Sequence, residues 1–175
     1  DGIGSNARFN YPEGIATDGV YLYIADTGNH VIRKIEINSG TVVTLAGKRG
    51  QAGYQDGTGS NAMFKAPLGI TILDSALYVS DTDNHIIRRV DKNSGETITV
   101  AGAASTVGNT DGFGVSALFN FPFGITNDGE FLYIADTFNH TIRRVEIQTG
   151  EVITLAGNAG ERGYTDGSLV DARFY

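Results

Sequence analysis

The sequence predicts an all-β fold made of one unit used three times, and three observations carry that expectation. The run YLYIADTGNHVIRKIEI from Tyr21 returns as ALYVSDTDNHIIRRVDK from Ala76 and as FLYIADTFNHTIRRVEI from Phe131. The spacing is 55 residues both times (76 − 21 and 131 − 76), and a period without drift means one supersecondary unit stacked on copies of itself. Each copy consists of short runs of β-branched and aromatic residues bounded by Gly, Asn, Asp and Ser, the pattern of strands and tight turns. Finally, the three prolines, Pro12, Pro67 and Pro122, all stand ahead of the first apolar run of their unit, where a missing N–H breaks no ladder.

Within one unit the elements follow in order. After Pro12 comes GIAT, then YLYIAD, HVIRKIEI and TVVTLAG. Asp18-Gly19 joins the first two runs, and Asn38-Ser39-Gly40, Asn93-Ser94-Gly95 and Gln148-Thr149-Gly150 join the last two; such residues supply the positive φ of turns between antiparallel strands. Four short antiparallel strands per repeat, arranged radially, describe a propeller blade. Blades are expected over about 11–47, 66–102 and 121–157, with connectors at 1–10, 48–65, 103–120 and 158–175. The SNARF piece of the first connector, like SNAMF from Ser60, suits one helical turn capped by serine. Phe9, Phe64, Phe119 and Phe174 stand in register and read as anchors that pin the connectors onto the blades.

The runs PEGIATDGVYLYIADTGNHVIRKI, PLGITILDSALYVSDTDNHIIRRV and PFGITNDGEFLYIADTFNHTIRRV resemble NHL repeats, named for an Asn-His pair and a following apolar residue. Here these are Asn29-His30-Val31, Asn84-His85-Ile86 and Asn139-His140-Thr141, so the third copy departs from the pattern at Thr141. The DG-x-G-x-x-A-x-F run ahead of the proline, as in DGTGSNAMF from Asp56, resembles a long-repeat subtype of extracellular and multidomain proteins. The resemblance covers essentially the whole chain and implies a β-propeller, usually six-bladed.

Composition narrows the functions. The net charge is −7, whereas nucleic-acid binding draws most of its affinity from Lys and Arg on phosphates; relatives that bind RNA use strongly basic faces, so no nucleic-acid partner is expected. The basic residues recur inside the motif at Arg33-Lys34, Arg88-Arg89 and Arg143-Arg144 and read as structural partners of Asp26, Asp81 and Asp136 or of the acidic residue two positions on. There is no cysteine, hence no disulfide, thiol nucleophile or thiolate metal site. No apolar run is long enough to span a bilayer, so no membrane partner is expected. The subtype and composition favour an extracellular or periplasmic location over a cytoplasmic one.

Residues that repeat hold the fold, and those that vary are free to meet a ligand. Two varying sets fall on the connector face. One is the residue between Pro and Gly at the rim of the central channel, Glu13, Leu68 and Phe123; the other lies inside the DT-x-NH turn, Gly28, Asp83 and Phe138. Phe123 and Phe138 would give the third blade an exposed apolar patch, the mark of an interaction site, or would pack beneath the connectors. Tyr54 and Tyr164, which correspond to Asn109, vary within the long connectors and are further ligand candidates. The invariant Asp26, Asn29, His30, Asp81, Asn84, His85, Asp136, Asn139 and His140 are assigned to structure. Three histidines could make a zinc site, but all occupy one repeat position and so lie apart; each is expected to bridge its turn to the next blade. Asp81-Thr82-Asp83-Asn84 resembles the start of a calcium loop without its later glycine and glutamate. No metal, cofactor or catalytic grouping is therefore expected, and the sequence reads as a non-enzymatic scaffold for a protein or peptide ligand. The alternative is a piece of a six-bladed hydrolase or lyase with a metal-assisted polar centre around Glu13.

Three blades are too few to close a ring, since propellers need about four to eight. The expected assembly is a homodimer in which two half-rings form one six-bladed propeller. The last ten residues, DGSLVDARFY, copy the first ten, DGIGSNARFN, so each seam would hold two candidates for one connector. The rival is a longer chain that carries the remaining blades.

Overall fold

A computed structural model describes residues 1–175. It has three antiparallel sheets of the same topology. The first contains β1 (Gly2–Ile3), β2 (Pro12–Thr17), β3 (Tyr21–Asp26), β4 (Val31–Glu36) and β5 (Thr41–Ala46). The second has β6 (Gly57–Thr58), β7 (Pro67–Leu73), β8 (Ala76–Asp81), β9 (Ile86–Asp91) and β10 (Glu96–Ala101), and the third has β11 (Gly112–Phe113), β12 (Pro122–Asn127), β13 (Phe131–Asp136), β14 (Thr141–Glu146) and β15 (Glu151–Ala156). Strand order in the first is β1-β5-β4-β3-β2, and the others repeat it.

Each sheet thus has five strands rather than the four expected. The extra one is the two-residue strand after the Asp-Gly pair, which adds to the outer edge, with Gly2 opposite Val42 and Ile3 opposite Thr41. The connector therefore starts at the outer edge of its own blade and then crosses to the centre. Between the two comes a single 3-10 turn, at Gly4–Asn6, Gly59–Asn61 and Gly114–Ser116. It starts earlier than the expected helical turn, and its serine caps nothing. The turn closes instead through the backbone, with Ala7 N–H donating to Gly4 O at 3.1 Å.

The inner strands carry a bulge. Pro12 pairs with Asp26 but Ile15 with Ile24, so Glu13 and Gly14 take up one extra residue; blades two and three repeat the shift. The bulge lets adjacent inner strands come close. A methyl group added at Gly14 would collide with the carbonyl oxygen of Leu68, and one at Gly69 with that of Phe123. At Gly124 the nearest atom would be 3.8 Å away, because no fourth inner strand lies beside it.

The core lies between blades, one cluster per seam. Tyr23, Ala25 and Ile32 of blade one meet Ile70, Leu77, Val79 and Val90 of blade two. The other side of blade two, through Ala76, Tyr78 and Ile87, meets Leu132, Ile134 and Val145 of blade three. All six residues of β8 are buried, whereas β13 alternates, because the middle blade is covered on both faces. The bare faces are complementary by repetition: Ile15, Ile24 and Ile35 of blade one line a shallow apolar depression, as do Tyr133, Ala135 and Ile142 of blade three. These are the repeat positions that face each other across the filled seams.

Candidate functional site

The DT-x-NH turn links second and third strands on the connector face, and its geometry explains each conserved letter. In blade two, Asp81 accepts the Lys65 N–H at 2.8 Å, the Asn84 amide at 2.9 Å and the Arg88 guanidinium at 2.8 Å. The second arm of Arg88 reaches Asp56, the aspartate of the Asp-Gly pair, at 2.8 Å, and its plane lies 5.0 Å from the centre of the Phe64 ring. Asp26–Arg33 and Asp136–Arg143 repeat the pair at 2.7 and 2.9 Å, both partners buried. Burial pushes the carboxyls of Asp81 and Asp136 up, while the guanidinium and amide donors pull them down. The role of the Asp-Gly aspartate was not read from the sequence, although its fixed register with Arg33, Arg88 and Arg143 was visible there. The register phenylalanines do not share one environment: Phe64 and Phe119 are fully buried, whereas Phe174 is 37% exposed.

The histidines cap the turn in the left-handed conformation, at φ 60, 60 and 58°, a region that His enters more readily than most non-glycine residues. Their ring nitrogens face the next blade. His30 Nδ1 accepts the Ala66 N–H at 3.1 Å, and His85 Nδ1 the Phe121 N–H at 3.2 Å. Thr27 and Thr82 add hydroxyl bonds to the carbonyls of Pro67 and Pro122 at 2.6 and 2.7 Å. In blade three these contacts are missing. His140 Nδ1 is buried with no partner, and Thr137 turns back to the Ala135 carbonyl at 3.3 Å. His30 and His85 thus serve different seams, and no three His, Asp or Glu side chains are grouped to hold a metal.

The varying residues separate into two groups. Glu13, Leu68 and Phe123 come together around the bulges of the inner strands, where they line one shallow hollow. In blade three this rim meets the turn: Phe123 and Phe138 have ring centres 6.4 Å apart, and Phe121 lies 4.8 Å from Phe138. Phe123 is 37% and Phe138 57% exposed, so they form a surface patch. Phe121 is a member that the sequence reading missed. It occupies the position of Tyr11 and Ala66, which also varies between repeats, and that variation was the available signal. Asn10 lies over Gly28, its amide donating to the Gly28 carbonyl at 3.0 Å. Asp83 is half-buried beside the blade-two turn. Tyr54 lies apart from the rim, 5.3 Å from the Arg88 guanidinium with its hydroxyl 3.2 Å from Thr99 Oγ1. Tyr164 is 97% exposed.

No family model matches the chain. It is 34% identical over 159 residues to human NHL repeat-containing protein 2, an alignment that covers 85% of this chain and 22% of that relative. The chain thus spans about a fifth of the curated relative's length. Among solved structures, a Bacteroides thetaiotaomicron protein of unknown function superposes with a TM-score of 0.75 at 24% identity, over 94% of this chain and 40% of its own. An auxiliary nutrient binding protein of Bacteroides ovatus gives 0.70 at 22% identity, over 97% and 42%. Both share the fold. No helix of the chain is long and apolar enough to cross a membrane.

Proposed function

The chain belongs to the NHL-repeat β-propeller family, and from that premise we propose that it is a non-enzymatic scaffold that binds a protein or peptide ligand on its connector face. The observation that carries this reading is the cluster of exposed Phe123 and Phe138 with half-buried Phe121 beneath them, at the inner end of the third blade. Aromatic clusters at a pocketed, partly desolvated centre are where binding energy concentrates. The neighbouring rim carries Glu13, and the chain carries a net charge of −7, so the ligand is an apolar segment flanked by basic residues. Panning a random peptide display library on the wild type, with the Phe123→Ser/Phe138→Ser double variant as counter-target, tests it. Selected peptides with an apolar-basic pattern that bind only the wild type support the reading. Peptides that bind both equally, or no enrichment, overturn it.

The same reading includes a second copy of the chain that completes the ring. Support comes from the matching bare faces of blades one and three and from the buried His140 Nδ1, which lacks the backbone N–H that His30 and His85 receive. Each blade face measures about 330 Å² (four strands about 4.8 Å apart and about 17 Å long). Two seams then bury about 1,300 Å² in total, within the range of about 1,200–2,000 Å² of stable interfaces.

A further inference from the structure

The seam between blades two and three opens into a hollow of about 470 Å³; the corresponding end of the first seam holds one of about 460 Å³, and it is the lining, compared repeat by repeat, that sets the second apart. In blade one the Lys34 ammonium sits 4.1 Å over the Tyr21 ring, and in blade three the Arg144 guanidinium sits 4.4 Å over Phe131. Blade two keeps the cation, Arg89, but has Ala76 where the ring would be. Arg89 makes no ion pair and no hydrogen bond through its side chain. A second substitution frees another group. The hydroxyls of Tyr23 and Tyr133 donate to Asp18 and Asp128 at 3.1 and 2.8 Å; the equivalent Tyr78 faces Leu73 and has no acceptor. A third opens the mouth. Lys92 bridges the first seam to Asp18 at 3.0 Å, whereas the equivalent pair in the second seam is Ile147 and Leu73, both at the cavity wall.

We propose that this cavity binds a small molecule that presents an aromatic ring next to a cationic amine. The ring takes the place left by the missing aromatic side chain, against Ala76 and stacked on the Arg89 guanidinium, a favourable arrangement when partly desolvated. Tyr78 offers its hydroxyl to a polar ring substituent. The amine follows from charge: Asp74, Glu130 and Glu146 face one Arg89 across the cavity, none of the three carboxylates makes an ion pair, and the excess of two negative charges selects a cation. The volume lies within the range of about 300–1,000 Å³ of small-ligand pockets. The site lies at the end of the blades opposite the DT-x-NH turns, wholly within one chain, so it depends neither on ring closure nor on the connector-face patch.

Titration calorimetry with tyramine as the probe tests this, with p-cresol and butylamine as half-probes. Saturable one-to-one binding of tyramine is expected, at least about tenfold tighter than either half-probe. Ala76→Phe, which rebuilds the ring present in the other two blades, is expected to abolish binding while the unfolding temperature holds or rises. Glu130→Gln with Glu146→Gln is expected to weaken it about tenfold, and Arg89→Gln severalfold, so the test does not hang on one variant. Absence of saturation by tyramine at millimolar concentration overturns the proposal. So does p-cresol binding as tightly as tyramine, or unchanged binding in Ala76→Phe.

Discussion

His85 holds Phe121 twice: its Nδ1 accepts the Phe121 backbone N–H at 3.2 Å, and its ring meets the Phe121 ring edge-on with centres 4.6 Å apart. One conserved residue of blade two thereby fixes the entry of blade three and one wall of its aromatic patch.

That bond requires a neutral imidazole, and burial lowers the His85 pKa below the ordinary 6.5. A group with a depressed folded pKa that is neutral when bonded contributes stability that is complete above about pH 6.5 and lost as pH falls through the folded value. Asp81, pushed up by burial, acts with the opposite sign in acid, so total stability does not isolate the histidine. The measurement is the NMR titration of its imidazole signals, assigned with His→Gln variants. A midpoint below 6.5 is expected; one at or above 6.5 contradicts the geometry.

The Arg88–Asp81 pair is fully buried, and removing Asp81 leaves the buried guanidinium with only the part-exposed carboxylate of Asp56. Asp81→Ala is expected to cost about 3–5 kcal/mol in urea unfolding. Asp81→Leu with Arg88→Met is expected to recover much of that loss. In contrast, Arg144→Ala, which removes a cation from the half-buried Phe131 ring, is expected to cost about 1 kcal/mol or less.

The inner-strand glycines divide by position. Gly69→Ala drives a methyl into the Phe123 carbonyl and is expected to destabilise the chain by several-fold more than Gly124→Ala, whose methyl meets nothing nearer than 3.8 Å. In the two-chain ring proposed above, Gly124 would face the inner strand of the second copy. Gly124→Ala is therefore expected to leave the fold of one chain intact, by circular dichroism, while it shifts the assembly toward monomer. A dimer unaffected by the change contradicts the inner-strand geometry of the seam.

Acid is expected to loosen the hairpin turns on the face opposite the connectors. Burial raises the Asp18 pKa, but the backbone N–H groups of Tyr21 and Val20, Lys92 and the Tyr23 hydroxyl together hold it well below the usual carboxylate range. A depressed carboxyl contributes stability that is complete above about pH 4 and lost as pH falls through its folded value. Thermal unfolding from pH 5 to pH 2 is expected to fall less steeply in Asp18→Asn than in the wild type; parallel slopes contradict the assignment.

Much of this architecture was legible in the sequence because symmetry made it so. The 55-residue period, the turn glycines and the prolines marked the main strands, and Pro-x-Gly placed Glu13, Leu68 and Phe123 on one rim. The fifth strand was not legible, since two residues, Gly2 and Ile3, show no alternation to read and pair only because the chain returns to the edge of β5. The serine cap failed because the backbone satisfies the turn first. Tyr54 lies apart from the rim, over Arg88, and variation between repeats alone could not place it there. Phe121 escaped although its position varies (Tyr11, Ala66, Phe121), because the positive φ there, 51°, is not announced by the local sequence. The cavity at Ala76 needed both the repeat alignment and the packing of blade two on blade three.

The most direct test of the completed propeller is the mass in solution, by light scattering coupled to size-exclusion chromatography on the 175 residues. A mass near twice 18.6 kDa is expected, with Gly124→Ala moving it toward the single-chain value. A folded species of 18.6 kDa at every concentration would contradict ring closure by a second copy and assign the missing contacts of His140 to other blades.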